Sequence, residues 1–316
     1  SYDPQFSPKA GVVVTPVEGH TFRLFYNRAF KSPSTLQTEF YIPNFVANVG
    51  VFGNREGMVI KNGAGATVRT YDPLVPEENQ TWELGYKGLI NGRLFFDVAA
   101  YYSRYEHFLS PLVTVANPFG GAAATFAFRP DGTALVSETG GQQIILTYFN
   151  LGEATIYGTD AAVRYVVNPR LDLTGTVSLL KLDKITGINT NIAGEVEATA
   201  LNSPATKWTV GANLRDLGRW LGGATVRHVT GYQFNSGINK GHIPTHNTLD
   251  LNVGYKVPRF GSQINLGVSN LFTCRSNDPT IADEGAECGF GVKHREMINM
   301  PAIGTMVFLG LRFTTN

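Results

Sequence analysis

The sequence predicts an all-β fold, and three observations support this prediction. Apolar and polar residues alternate with period two in segments along the whole chain, which gives a strand one apolar and one polar face. In HNTLDLNVGYKV, residues 246–257, the alternation is unbroken from Leu249 to Val257. Short and long connections between these segments alternate. Charged residues make up only 16% of the 316 residues, whereas soluble domains average about 25%.

About eleven segments share the alternating pattern, and none has a helical period. In residues 81–88, for example, Trp82 and Leu84 lie on one face and Glu83 and Lys87 lie on the other. The segments span residues 9–17, 21–30, 81–88, 93–105, 157–167, 171–179, 207–215, 224–230, 246–257, 263–270 and 306–313.

The lengths of the connections between the strands indicate what surrounds the apolar and the polar face of each strand. Tight turns are expected at Glu18-Gly19, Asn91-Gly92, Asn168-Pro169, Leu217-Gly218 and Pro258–Ser262, because such pairs allow the positive φ of short hairpins. Long connections span roughly 31–79, 111–147, 184–206, 235–245 and 273–303. Short turns at one end and long loops at the other are typical of an outer-membrane barrel. We therefore expect the apolar faces to meet lipid and the polar faces to line a lumen. Aromatic residues near strand ends fit the girdles at the membrane surfaces, although β-propensity alone also enriches them: Trp82, Tyr101, Tyr102, Trp208 and Tyr232.

The number of strands predicts that this wall is incomplete. Eleven antiparallel strands begin and end in the same direction, so the first and last strands cannot close on each other antiparallel. A bilayer tolerates no open edge, because each unpaired backbone group there costs several kcal/mol. The predicted fold class is therefore an antiparallel transmembrane β-barrel, of which this chain is half. Eleven further strands would make 22, the size class that has a plugged lumen.

Several stretches resemble the C-terminal half of the barrel of TonB-dependent outer-membrane receptors, in matching order along nearly the whole chain. FSPKAGVVVTPVEGHTFRLFYNRAFKSPS is similar to the family's strand, turn and strand leading to Arg-Ala-Pro-Ser. VPEENQTWELGYKGL resembles its Pro-Glu followed by Glu-Leu-Gly-Tyr-Lys, and SNLF and PAIGTMVFLGLRF resemble its last two strands. Two departures stand out: Asp160 replaces the usual Glu after Gly158, and residues 314–316 follow the terminal aromatic Phe313.

The resemblance implies that residues 1–316 are the C-terminal part of the barrel, without the plug domain and the N-terminal strands. It implies active uptake of a scarce ligand such as an iron-siderophore, cobalamin, a carbohydrate or a peptide across the bacterial outer membrane. The implied partners are outer-membrane lipid, the plug and the missing barrel half, from the same precursor or a second chain, and TonB indirectly through the plug. Two alternatives are a complete passive porin or autotransporter-type translocator, and a non-transporting structural or binding protein.

The residues do not indicate an enzyme, a cofactor or a metal site. Glu106 and His107 are adjacent and would point to opposite faces, and Pro244 separates His242 from His246. A net charge of +1 gives no reason to expect nucleic acid. The glycine-rich segments 50–57 and 62–67 lack the features of a phosphate loop and are expected to be flexible.

Ligand contacts are expected near the outer strand ends, because a substrate enters from outside. The candidates are Arg28, Arg104, Tyr105, His107, Tyr148, Asn150, Tyr232, Gln233, His242 and His246. Lumen charges are expected to contact the plug or the wall, with ligand attraction as the alternative: Arg23, Glu83, Lys87, Asp97, Arg164, Arg215, Arg227 and Arg312. In an oxidising compartment, the two cysteines Cys274 and Cys288 are expected to form a disulfide; in the cytosol they would be free thiols.

Overall fold

A computed structural model describes residues 4–136, 140–236, 239–282 and 284–313. In chain order the strands are β1 (Lys9–Val17), β2 (His20–Lys31), β3 (Tyr41–Val46), β4 (Val49–Phe52), β5 (Met58–Asn62), β6 (Thr67–Tyr71), β7 (Glu77–Ile90), β8 (Leu94–Glu106), β9 (Val113–Ala116), β10 (Thr125–Phe128), β11 (Ile144–Thr147), β12 (Ala154–Asn168), β13 (Leu171–Ile185), β14 (Thr206–Leu217), β15 (Trp220–Val229), β16 (Tyr232–Ser236), β17 (Asn239–Ile243), β18 (His246–Val257), β19 (Ser262–Arg275), β20 (Glu287–Phe290) and β21 (Met306–Phe313). The helical pieces are α1 (Thr35–Glu39), α2 (Ala193–Glu197) and the 3₁₀ turns Gly121–Ala123 and Pro258–Phe260. No helix in these described ranges is long and apolar enough to cross a bilayer.

One antiparallel sheet forms the wall, and its strands pair in the order in which the chain presents them. The wall strands are β1, β2, β7, β8, β12, β13, β14, β15, β18, β19 and β21. The short strand β20 also pairs with β19, beyond the outer end of β21. The prediction of eleven antiparallel wall strands is confirmed, with identical bounds for β1, β18 and β21. The second expected departure from the family, at residues 314–316, lies outside the described residues.

Short turns join the wall strands at one end, which we call the inner end. These turns span residues 18–19, 91–93, 169–170, 218–219 and 258–261. Asn91 and Gly92 have φ of 51° and 63°, the left-handed pair that a tight hairpin requires. The other five connections span residues 32–76, 107–153, 186–205, 230–245 and 276–305 at the opposite, outer end. The predicted alternation of short and long connections is therefore confirmed.

The apolar face of the wall is exposed along its length. Leu84 is 61% exposed and Leu309 is 73% exposed, which suits side chains whose solvent is lipid. An aromatic row crosses four adjacent strands in register near the outer end, where one residue of each strand pairs with the next: Tyr26, Trp82, Tyr102 and Tyr157. This row has the position of an interfacial girdle. Tyr101 lies on the opposite face and Tyr232 lies in a loop hairpin, so these two predicted residues are not part of it.

The glycine-rich residues 50–57 and 62–67 lie partly in strands β4, β5 and β6, and their expected flexibility stays a prediction. The long connections contain short strands. They form sheets of their own, in the orders β3-β4-β11-β9, β10-β5-β6 and β16-β17. The buried core lies in these loops and includes Phe52, Ile60, Val113, Ile145 and Phe149. Loops that pack on one another in this way present a preformed surface at the outer end.

A buried carboxylate fastens two of the long connections together. Glu195 in α2 is 0% exposed. Its carboxylate accepts hydrogen bonds from the Tyr71 hydroxyl at 2.6 Å and from the Asn189 backbone N–H at 2.7 Å. Burial and the bond to Glu195 raise the pKa of Tyr71, so the phenol keeps its proton and donates it. Arg69 forms an ion pair with Glu195 at 3.1 Å, which compensates the buried charge.

Strand β19 changes its partner at Asn270. This residue has φ of 52° and sits in a bulge against β18. The Asp250 carboxylate accepts the Asn270 backbone N–H at 2.7 Å and the Ser269 hydroxyl at 3.0 Å. The Asn270 amide donates to the Gly304 carbonyl at 3.2 Å. Below the bulge β19 pairs with β21, and above it with β20, so Asn270 sets where the wall ends and the last connection begins.

The predicted disulfide between Cys274 and Cys288 is confirmed. The two residues face each other in register across β19 and β20, with Cα atoms 4.1 Å apart. Closing a loop of this length stabilises the folded state by about 3 kcal/mol in the chain-entropy account. The disulfide therefore anchors the first part of the 276–305 connection to the outer end of β19.

We expect Asn270→Ala to lower the free energy of unfolding by about 2 kcal/mol. Alanine has a penalty of about 1–2 kcal/mol in the left-handed region, and the variant also loses the hydrogen bond to Gly304, worth about 1 kcal/mol. The measurement is the urea dependence of unfolding in detergent micelles. Asn270→Gly is the matched control, because it loses the side chain but tolerates the backbone conformation. Equal destabilisation by both substitutions would show that the backbone conformation is not the constraint.

Candidate functional site at the outer strand ends

The predicted ligand-binding residues fall into two groups at the outer end of the wall. The first group lies around the outer ends of β2, β8 and β12: Arg28, Arg104, Tyr105, His107, Tyr148 and Asn150. The second group lies on and after the β16–β17 hairpin: Tyr232, Gln233, His242 and His246. The wall strands position both groups beneath the folded loops.

The two arginines of the first group are held in ion pairs at the surface. Arg28 pairs with Glu78 across β2 and β7. Arg104 pairs with Glu153 at 2.7 Å, and both side chains are nearly half exposed. Surface pairs of this kind contribute only about 0–1 kcal/mol. Exchanging such a partner for an anionic ligand would therefore cost little.

Asn150 has a structural role that the sequence did not indicate. Its amide donates to the His107 carbonyl at 2.6 Å and to the Val75 carbonyl at 3.1 Å. Its oxygen accepts the Val75 N–H at 2.9 Å. The side chain thereby ties two long connections to the start of β12. His107 contributes its carbonyl here in a left-handed conformation, with φ of 54°.

The two tyrosines of the first group are partly buried. The Tyr105 ring packs edge-on against Phe108, with ring centroids 5.5 Å apart. Burial raises the pKa of Tyr148 above its ordinary value, so its phenol is protonated at neutral pH. Both rings are amphipathic surfaces that lie at the border between the loop core and solvent.

The β16–β17 hairpin forms one side of a groove at the outer end. Gln233 and His242 face each other in register, with the amide nitrogen 3.5 Å from the His242 Nδ1. The groove has a volume of about 440 Å³ and lies between this hairpin and α2. Gln233, Phe234 and Lys240 are among its lining residues. The Lys240 ammonium pairs with the carboxylate of Glu197, which also lines the groove. The groove therefore combines apolar and polar lining, as small-molecule sites do.

His246 belongs to a cluster that the sequence analysis did not find. It is 1% exposed, and its ring stacks on His294 with centroids 4.3 Å apart and planes 22° apart. Glu296 and Arg227 adjoin the pair, and Arg227 donates to the Glu296 carboxylate. Strand β18 brings His246 to the polar face, and the 276–305 connection folds back to bring His294. Only a His-x-Glu spacing at residues 294–296 marks this cluster in the sequence, and that signal is weak.

The environment of the cluster lowers the pKa values of both Glu296 and His294. Burial raises the pKa of Glu296, but the hydrogen bond and charge of Arg227 outweigh burial and hold the pKa below its ordinary value. Burial lowers the pKa of His294, against the opposing effect of Glu296. Tyr232 donates its hydroxyl to the Glu296 carbonyl at 2.8 Å. The hairpin and the last connection are therefore joined at this point.

Charges farther down the polar face are paired within the wall. Arg23 contacts Glu83 at 3.2 Å and Asp97 at 2.9 Å, across β2, β7 and β8. At the inner end, the nearly buried Asp172 pairs with Arg164 at 3.4 Å and with Arg215, beside a cleft of about 640 Å³. These contacts agree with the expectation that lumen charges contact the wall.

Several solved structures share this fold. The FrpB iron transporter from Neisseria meningitidis is 15% identical with a TM-score of 0.55, and the match covers 97% of this chain and 39% of FrpB. A variant of the ferric enterobactin receptor PfeA from Pseudomonas aeruginosa is 14% identical with a TM-score of 0.58, and the match covers 96% of this chain and 40% of PfeA. The copper transporter OprC is 13% identical with a TM-score of 0.57, and the match covers 97% of this chain and 39% of OprC. The chain therefore spans about two fifths of the length of these structures. At such identities the likeness shows the fold.

A match to a family model identifies the family of this chain, which the structural likeness alone does not. No protein of curated function matches the sequence. The model described as TonB dependent receptor-like, beta-barrel matches residues 1–271, which is most of the chain. The match includes β1 to β18 and most of β19. On this evidence the chain belongs to the TonB-dependent receptor β-barrel family.

Proposed function

We propose that this chain is the C-terminal part of the barrel of a TonB-dependent outer-membrane receptor, and that the complete receptor takes up a scarce ligand actively. The observation that carries the proposal is the state of the two wall edges. Strands β1 and β21 run in the same direction, and among the described residues neither pairs with a second wall strand. Lipid does not tolerate such edges. Together with the family match, this supports a wall that further strands complete.

The missing part has a defined geometry. Its first and last strands must both run opposite to β1 and β21, so it contributes an odd number of strands. Eleven strands give 22, the size class of plugged barrels. The plug would lie against the polar face, and TonB would act on it from the periplasmic side, so this chain would contact TonB only indirectly.

The outer end is the proposed place of ligand capture. The candidates are the residues of both groups, and the groove beside Gln233 is a concave position next to the second group. The similar structures include an iron transporter, a ferric enterobactin receptor and a copper transporter. Metal ions and metal chelates are therefore the first ligands to test, before cobalamin, carbohydrates and peptides. We propose transport rather than catalysis for this chain.

The alternative of a complete small barrel needs a twelfth wall strand near residues 41–52 or 122–128. The structure has strands β3, β4 and β10 in these segments. They pair with other loop strands rather than with the wall. A passive porin or an autotransporter-type translocator is therefore less well supported than a receptor part. A purely binding or structural protein differs from a receptor in its lack of uptake.

The assembly extracted from outer membranes in mild detergent is expected to exceed the mass of this chain. The two open edges require more strands, either in one longer polypeptide or in a tightly bound second chain. Intact mass spectrometry measures this directly. A lone species of 34.4 kDa that stays folded and closed would contradict the proposal and favour a small passive barrel.

Uptake by cells that carry the receptor is expected to depend on energy. The probe is whichever of radiolabelled ferric enterobactin, ionic iron and ionic copper the cells bind best. A protonophore should abolish accumulation and leave surface binding in place, because energy acts through the plug and not through the outer loops. Accumulation that persists with the protonophore would indicate a passive pore. Binding without any accumulation would indicate a binding protein.

Gln233→Ala and His242→Ala are expected to weaken surface binding of that probe by about tenfold each, if each contact is worth about 1.4 kcal/mol. Both side chains lie on the hairpin beside the outer groove. The measurement is the equilibrium binding curve on intact cells at matched receptor levels. Asn277→Ala is the matched control, since Asn277 is an exposed amide on a different connection. Equal effects of all three substitutions on binding would show that the β16–β17 hairpin is not part of the ligand site.

A further inference from the structure

Two buried histidines and a glutamate meet where the last connection folds onto the polar face. His246 is 1% exposed and His294 is 2% exposed. One potential ligand atom from each of these histidines and from Glu296 lies within 4.8 Å of the others. The three residues come from β18 and from the 276–305 connection. The sequence predicts no metal site, because Pro244 separates His242 from His246.

Three buried histidine nitrogens lack a hydrogen bond. His246 Nε2 and both ring nitrogens of His294 are buried and form no hydrogen bond with the described residues. His294 Nε2 lies 3.7 Å from a Glu296 carboxylate oxygen, which is within ion-pair distance but beyond hydrogen-bond distance. A buried polar group without a partner costs about 1–3 kcal/mol. Several such groups facing one another point to a missing ligand rather than to ordinary packing.

The tautomer of His246 is set by a backbone carbonyl. Its Nδ1 lies 3.1 Å from the Pro244 carbonyl oxygen, which only accepts hydrogen bonds. Nδ1 therefore carries the proton and donates it. The lone pair is then on Nε2, the buried atom without a partner. Histidines that bind metals are held in this way, with one nitrogen bonded to a carbonyl or carboxylate and the other on the metal.

The carboxylates near the imidazoles are held in place by hydrogen bonds. Arg227 donates to Glu296 and orients its carboxylate. Asp250 lies on the same face of β18 as His246, and its carboxylate accepts the Asn270 backbone N–H. Together with the two imidazoles, the Glu296 carboxylate gives the cluster three potential ligand groups for a cation.

We propose that His246, His294 and Glu296 bind a divalent transition-metal ion of the Zn²⁺ class, with water completing the coordination. Two imidazoles and one carboxylate with an open position are a common zinc set, whereas Ca²⁺ and Mg²⁺ select oxygen ligands. Bonds of about 2.0–2.1 Å place tetrahedral ligand atoms about 3.3 Å apart. Small side-chain rotations from the present spacing are therefore part of binding. The ion pins the last connection to β18, and this role stands whether or not the chain takes part in transport.

The test is Zn²⁺ binding by the protein extracted from outer membranes in detergent. Titration calorimetry and elemental analysis after chelator washing should show about one tightly held Zn²⁺ per chain. His246→Gln and His294→Gln should each weaken binding at least about tenfold. The matched control is His228→Gln, because His228 lies beside Asn247 on the opposite face. Unchanged binding in both variants, or no binding by the wild type, overturns the proposal.

A second measurement covers the case in which the variants do not fold, as judged by heat-dependent mobility in electrophoresis. Co²⁺ is then added to the wild-type protein and its visible absorption is recorded. An intense band, typical of four- or five-coordinate Co²⁺ with nitrogen and oxygen ligands, supports the site. A weak spectrum like that of hydrated Co²⁺ overturns it.

Discussion

The wall depends on one constraint, which is that backbone N–H and C=O groups surrounded by lipid must bond to a neighbouring strand. Sequential antiparallel pairing meets this constraint for every strand between β1 and β21. It also fixes which side chains meet lipid, because a slip of one residue would reverse both faces of a strand. The aromatic row from Tyr26 to Tyr157 exists only because the three registers between four adjacent strands agree. The bulge at Asn270 is an exception to regular pairing, and there the Asp250 carboxylate accepts the backbone N–H instead.

The same constraint explains why the hydrophobic core lies in the loops. Side chains on the apolar face of the wall have lipid as their surroundings and need no protein partner. Loops in water have no such partner, so Phe52, Ile60 and Phe149 pack on one another. The buried Glu195 then joins connections that are far apart in the sequence. The outer end is therefore a folded surface that carries solvent-exposed ion pairs such as that of Arg104 with Glu153.

The wall was predictable from the sequence because each of its strands carries a local period-two signal. The turns were predictable for the same reason, since Asn91-Gly92 specifies its own conformation. The loop sheets were not predictable. Strands β4 and β11 have four residues each and pair in parallel across a long stretch of chain, so neither shows a period. Site residues could be placed at the outer end by strand direction alone. Their roles depend on distant partners, such as Val75 for Asn150 and His294 for His246, which no local pattern encodes.

The polar face differs in its electrostatics between its two ends. Toward the inner end, Arg23 and Asp172 find partners on adjacent wall strands, so the wall neutralises its own charges there. At the outer end, the ion pair of Arg227 and Glu296 lies beside His246 Nε2 and both ring nitrogens of His294, which form no hydrogen bond with the described residues. Charged side chains that are already paired stabilise the wall, whereas buried polar atoms without a hydrogen bond favour a ligand that can bond to them. We therefore expect selective binding where the last connection meets β18. We expect the paired charges near the short turns to stabilise the wall.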